Sequence, residues 1–397
     1  MPRRFGWFLL LLALAACQPE PIVVLVGIDG FRHDYLDRPQ AAALQHLRDR
    51  GVAAERLIPA FPSKTFPNFY TLATGLYPAH HGIIANNMRD PVLGRFSLSD
   101  RASVEDGRWW GGEPIWVTAI RQGRHAEALF WPGSEAPVHG IYPEGWRRFD
   151  AAVGYGDRVR AVLDAISRSG AEHASFAALY LEGVDAAGHR FGPASPQVDS
   201  AIARADSAVA LLVAGIDSLG LDDRVNVIVV SDHGMAQLAP ERVIYLDDYL
   251  PDGAAEITDL NPVAALVPAE GREAEVLAAL ANRDPHLRVY RAAEIPERLH
   301  YRDNPRIAPV VAIADPGWTI SLRARGAPAD RGNHGFDPED PDLGGVFVAA
   351  GPAFRNGAGL PAVGNIQVYE LICRILGLEP APNDGHRDSL AAALKKK

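Results

Sequence analysis

The stretch "PIVVLVGIDG", Pro21 to Gly30, decides the fold class. It is a nearly continuous β-branched run without polar alternation, the pattern of a strand buried on both faces of a parallel sheet. The run stops at Asp29 and Gly30. Three other stretches read the same way: "ASFAALYLEGVD" from Ala174, "VNVIVVSDHGM" from Val225 and "GGVFVAAGP" from Gly344. "HAEALFWPGS" from His125 is a weaker, edge-type strand. Helical patterns lie between these runs. The clearest extends from Pro196 to about Leu219, with Ser195 placed to cap it, Pro196 in the tolerated first turn, and Val198, Ile202, Ala205, Val209, Leu212 and Ile216 on one apolar stripe. Alternating strands and helices predict an α/β sandwich with a mainly parallel central sheet flanked by helices.

Composition sets the outer limits. The 397 residues are 48% hydrophobic and 22% charged, values suited to a soluble globular enzyme with a sizeable core. A formal charge of -10, with no basic run before Lys395, Lys396 and Lys397, argues against binding a nucleic-acid polymer. An anionic substrate must then be attracted locally.

The first residues form a separate object. Arg3 and Arg4 precede an apolar run, Trp7 to Ala16, too short to span a bilayer but suited to a signal-peptide core, so export is expected. It ends in Leu14, Ala15, Ala16 and Cys17, which looks like a bacterial lipobox whose Cys is acylated; the other reading is an ordinary secretory signal with an incidental Cys. The segment 1–17 is therefore set apart from a body, 22–390, read as one catalytic domain. Within that body Cys373 stands alone inside the helical pattern "NIQVYELICRILGL", which leaves no disulfide framework and suits core packing.

In open parallel sheets, ligands bind outside the carboxyl ends of the strands. Asp29 ends one strand, Asp232 and His233 end another, and Asp185 follows a third, so carboxylates and imidazoles converge on one sheet edge. Oxygen and nitrogen donors without thiolates point to zinc or a similar divalent ion. Asp185 and His189 are read as sharing a glycine-rich bend in "YLEGVDAAGHRFGP". His334 in "DRGNHGFDP" reads as a ligand or as part of a surface turn, while His80 and His81 read as loop structure. Thr65 in "FPSKTFPNFY" stands just before a short helical segment, where it serves as an N-cap, as a nucleophile facing a phosphate at a helix N-terminus, or as both.

With these motifs in hand, "GIDGFRHDYL", "FPSKTFPNFYTLATGLYPAHHGIIANNM", "GGEPIWVTA", "FWPGSE", "YLEGVDAAGHRFGP", "VIVVSDHGM", "IPERLHYRDNPRIAPVVAIADPGWT" and "RGNHGFDP" closely resemble the nucleotide pyrophosphatase/phosphodiesterase family of the alkaline phosphatase superfamily. The resemblance runs in order along nearly all of the chain after the signal. It implies an alkaline phosphatase-like sandwich with inserted smaller segments, in the bacterial form limited to the catalytic domain.

Residue by residue, the resemblance assigns Asp185, His189 and His334 to one zinc. Asp29, Asp232 and His233 would hold a second, with the Thr65 oxygen on it. Asn86 and the Phe66 amide would hold a phosphate oxygen, and the Phe66 and Tyr180 rings would sandwich a nucleobase. "LEGVDAAGH" departs from the more usual Glu-Pro before the Asp without touching the ligands. The implied activity is metal-dependent hydrolysis of nucleotide pyrophosphates and phosphodiesters through a phospho-threonine intermediate, releasing nucleoside 5′-monophosphates. The alternatives on the same scaffold are a choline-phosphodiester hydrolase and a phosphomonoesterase, the latter kept open by Lys64. The expected partners are small nucleotides, with membrane contact only through a lipid on Cys17, as an exported outer-membrane lipoprotein at the periplasmic face of the bacterial envelope.

Overall fold

The structure, a computed structural model, describes residues 20–326 and 329–396. The Ile22–Ile28 run is an interior strand, next to the middle one, of a seven-stranded sheet, and each of its residues is buried. The spatial order is Ala358–Leu360, Val52–Ala54, Phe347–Ala350, Val225–Val230, Ile22–Ile28, Ala174–Leu181, His125–Leu129. Phe347–Ala350 runs antiparallel to both neighbours, and the other strands share one direction. The sheet is mixed but mainly parallel, and His125–Leu129 is its edge.

Side chains alternate across the Ile22–Ile28 strand as the pleat requires. Val23 and Leu25 face one apolar layer with Phe69, Trp116, Trp131 and Tyr369. Val24, Val26 and Ile28 face the other, where Val198, Ile202, Ala205, Val209, Leu212 and Ile216 bury the expected stripe of the Pro196–Ser218 helix. Ser195 caps that helix by accepting from the Val198 amide at 3.3 Å, an interaction worth about 1 kcal/mol. The layers form the expected α/β sandwich, a mainly parallel sheet flanked by helices.

The inserted part is a second, antiparallel sheet ordered Ala255–Asp259, Val263–Pro268, Val310–Ala314, Leu287–Arg291. It is backed by the Glu273–Leu280 helix and encloses its own apolar cluster around Leu266, Val276, Leu280 and Val310. No helix among the described residues is long and apolar enough to cross a membrane. The segment 1–17, with Cys17, lies outside the described residues.

Candidate active site

Strand ends and loops are stitched together where the polar residues gather. Asp29 N donates to Leu181 O and Asp185 N donates to Asp29 O, both at 3.0 Å, joining two neighbouring strands just past their carboxyl ends. Ser231 accepts from Phe31 N at 2.9 Å and donates to His233 O at 2.7 Å, which holds the Asp232–His233 turn against the Ile22–Ile28 strand. The expected glycine-rich bend around Asp185 is instead the first part of a helix, Gly183–Phe191. Asp185 and His189 are one helical turn apart and share a face, so regular helix, not a tight turn, brings them together. Gly188 serves packing there, because a Cβ would lie 2.8 Å from Met235 Cε.

The donor atoms form two compact groups. In one, His189 Nε2 lies 3.4 Å from Asp185 Oδ1 and 3.0 Å from His334 Nε2, and His334 Nε2 lies 3.5 Å from Asp185 Oδ1. In the other, His233 Nε2 lies 2.9 Å from Asp232 Oδ2, 3.5 Å from Asp29 Oδ1 and 3.3 Å from Thr65 Oγ1. Tetrahedral zinc with ligand distances of about 2.0–2.1 Å separates its donors by roughly 3.3 Å, so both groups have the right size. Asp29 Oδ1, Asp185 Oδ1 and Asp232 Oδ2 are buried with no hydrogen-bond partner. Such orphaned carboxylate oxygens are costly unless a cation meets them. Burial, then the charges of Asp232 and Asp185, push the Asp29 carboxyl well above its ordinary pKa, and burial also raises Asp185. Burial, then His233 and His189, push His334 well below its ordinary value. Crowding of this kind, without a counter-charge, is what a divalent ion relieves.

The second imidazole nitrogens are occupied in a way that orients the rings. His189 Nδ1 lies 3.0 Å from Gly332 O, His233 Nδ1 2.8 Å from Gly234 O and His334 Nδ1 2.8 Å from Ser63 O. A carbonyl on Nδ1 fixes the proton there and leaves Nε2 as the free donor for a metal.

Thr65 begins the Thr65–Thr74 helix as its first residue, and Lys64 is the N-cap, so Thr65 is not the cap. Its hydroxyl sits at the positive end of the helix, beside the Asp29–Asp232–His233 group. Asn86 Oδ1 accepts from Phe66 N at 3.1 Å, so amide and side chain stand together. A cavity of about 340 Å³ opens over these groups, lined by Thr65, Phe66, Asn86, Tyr180, Asp185 and His334 and also by Leu98, Arg101, Glu135 and Phe149.

Residues 23–337 match the family model described as type I phosphodiesterase / nucleotide pyrophosphatase. The chain belongs to this family. It is 36% identical over 91% of its length to human ectonucleotide pyrophosphatase/phosphodiesterase family member 5, spanning 76% of that protein. It is 38% identical over 95% of its length to mouse family member 1, of which it spans only 43%, and 37% identical over 92% to human bis(5′-adenosyl)-triphosphatase ENPP4, spanning 80%. An inactive variant of murine family member 5, solved in complex with AMP, superposes with a TM-score of 0.91 at 37% identity, covering 95% of this chain and all of that one. This phosphodiesterase / nucleotide pyrophosphatase is a metal-dependent hydrolase of nucleotide pyrophosphate and phosphodiester bonds.

Tyr180 lines the same cavity as Phe66. Its hydroxyl donates to Asp29 Oδ2 at 2.5 Å, and its ring packs edge-on against Phe69 with centroids 5.1 Å apart. The exposed aromatic among the residues lining this cavity is Phe149, which the sequence pattern did not single out. Phe149 lies outside any helix or strand, so no periodicity marks it; the nearest signal is "FWPGSE", whose Glu135 accepts from Phe149 N at 3.2 Å. Arg101 was equally silent; it pairs with Glu135 across the cavity. Lys64 pairs with Asp259 of the inserted sheet and lines a different, smaller cavity. Lys64 is thus committed to Asp259, and among the described residues Arg101, paired with Glu135, is the one Lys or Arg lining the cavity over Thr65. His81, read as loop, is buried in the short Pro78–His81 helix beside Thr71, and burial pushes its pKa down to about 3.

Proposed function

We propose that the enzyme uses Thr65 as the nucleophile of a double displacement and holds two zinc ions, one on Asp185, His189 and His334, the other on Asp29, Asp232 and His233. The observation that carries this reading is the placement of Thr65 Oγ1 at a helix N-terminus, 3.3 Å from His233 Nε2, with Asp29 Oδ1, Asp185 Oδ1 and Asp232 Oδ2 buried without partners. Zinc bound there would supply Lewis acidity, polarising oxygen and offsetting phosphate charge. Thr65 Oγ1 attacks phosphorus, the P–Oγ1 bond forms, the bond to the leaving oxygen breaks, and the hydroxyl proton passes to that oxygen. Water then attacks on the opposite face and breaks the P–Oγ1 bond, one water proton returning to Oγ1, which releases a nucleoside 5′-monophosphate with net retention at phosphorus. The Phe66 amide and Asn86 side chain hold a non-bridging oxygen, and the helix N-terminus favours its negative charge.

The base is placed between the Phe66 and Phe149 rings. Both line the cavity above Thr65, and the murine relative solved with AMP supports a mononucleotide in such a site. That relative is described as inactive. Metal removal by a chelator abolishes turnover of a dinucleotide, and zinc restores it; persistent turnover in stripped protein overturns the metal assignment.

For location, the reading is a bacterial, exported lipoprotein of the outer membrane at the periplasmic face of the envelope, acylated on Cys17, with Gln18 compatible with that sorting. The Leu14–Cys17 motif supports it. Labelled palmitate enters the wild type and not Cys17→Ser; a freely soluble, unlabelled wild type favours the ordinary secretory signal.

A further inference from the structure

We propose that Tyr180 is a positioning residue of the metal centre: its hydroxyl turns the Asp29 carboxylate so that Oδ1 alone faces the Asp232–His233 group. The inference rests on the metal reading above and concerns what makes that site bind tightly. Asp29 has two oxygens in different states. Oδ2 accepts the Tyr180 hydrogen bond at 2.5 Å, and Oδ1 is buried without a hydrogen-bond partner, 3.5 Å from His233 Nε2. An O–H···O⁻ bond of this length lies in the strong, charge-assisted range. It commits one lone pair and pins the torsion of the carboxylate, leaving a single oxygen to a metal.

The sheet register explains why Tyr180 can reach. Tyr180 stands beside Gly27 on the neighbouring parallel strand, two residues before Asp29, so both side chains leave the same face of the sheet. Gly27 has no side chain, and a Cβ there would lie 2.5 Å from Phe69 Cε1 and 2.8 Å from Trp131 Cζ3. The freed space lets Phe69 in, and Phe69 meets the Tyr180 ring edge-on, with centroids 5.1 Å apart and planes 88° apart. Phe149 meets it as a second edge contact at 5.8 Å and 67°. The phenol is therefore clamped in direction before any metal arrives. Partners that orient a ligand typically set its metal affinity by 10–100-fold.

The test titrates zinc into metal-stripped full-length protein in competition with a chromophoric chelator, for wild type, Tyr180→Phe and Phe149→Ala. Tyr180→Phe keeps the ring and removes one oxygen. The expected result is at least a tenfold loss of affinity for one of two zinc equivalents, a smaller zinc-dependent rise in Tm, and equal falls in kcat on a nucleotide and on a base-free phosphodiester with the nucleotide KM unchanged. Because the rise in Tm compares loaded and stripped forms of the same variant, it reads the hydroxyl even if the variant is less stable. Phe149→Ala, which removes one edge contact and keeps the hydroxyl, should lose less zinc affinity than Tyr180→Phe. Wild-type affinity in Tyr180→Phe with a raised nucleotide KM would make Tyr180 a base-stacking residue and overturn the proposal, as would a variant unchanged in every readout. Failure of the wild type itself to bind zinc would instead overturn the metal reading.

Discussion

The imidazole of His233 lies flat on that of His334, with ring centroids 3.5 Å apart and planes 13° apart. One ring belongs to each donor group, so the two groups share a wall. Loss of one ring removes the support of the other.

His334→Ala should therefore lose about one zinc equivalent and also weaken the remaining one, by roughly tenfold if orientation of His233 is the cause. Metal analysis after gel filtration, followed by chelator competition, reads both effects. Independent sites, with the second at wild-type affinity, would contradict the coupling.

Thr65→Ala should remove turnover by at least about a thousandfold while two equivalents of zinc stay bound, since Asp29, Asp232 and His233 still define their group. Rapid quench of wild type with substrate, followed by peptide mass spectrometry, should find the nucleotide on the peptide containing Thr65. Substantial turnover by the Ala variant would mean that water attacks phosphorus directly.

Phe66→Ala and Phe149→Ala should each weaken kcat/KM on nucleotides while sparing a phosphodiester without a base. Stacking on an aromatic ring is worth ~1–3 kcal/mol per base, which corresponds to roughly 5- to 150-fold. Equal losses on both substrates would show that the variants disturb the reacting end of the site.

Gly27→Ala should destabilise the fold, because the added carbon meets Phe69 and Trp131 at 2.5 and 2.8 Å. Overpacking of this kind costs about 1–3 kcal/mol, read as a lower denaturant midpoint. An unshifted midpoint would mean that both rings can retreat freely.

Cys373 should resist alkylation in the native protein at pH 8. It is buried, and burial pushes its thiol up to about 12, so almost no thiolate is present. Cys17→Ser protein leaves this thiol as the sole reporter, and labelling should appear only on unfolding. Fast native labelling would show that the helix around Cys373 opens.

Local sequence determined the strands, the helix stripe and the donors at the strand ends, because these are written in neighbouring residues. A β-branched run that stops at Asp29 or Asp232 carries its own instruction to bury and then to present a carboxylate. Even the Asp185–His189 pair was legible as a pair, although a regular helix, stabilised by packing of Val184 and Ala187 in the core, replaced the expected bend. Tertiary structure alone decided which groups meet. Tyr180 and Asp29 are 151 positions apart, and only the parallel register turns an aromatic on one strand into a hydrogen-bond donor to a carboxylate on the next. Lys64 finds Asp259 across 195 positions, and Phe149 reaches the cavity from an irregular segment tied to Glu135. Such pairings depend on how separate elements pack, and packing is set by the whole core at once, which no short window of sequence contains.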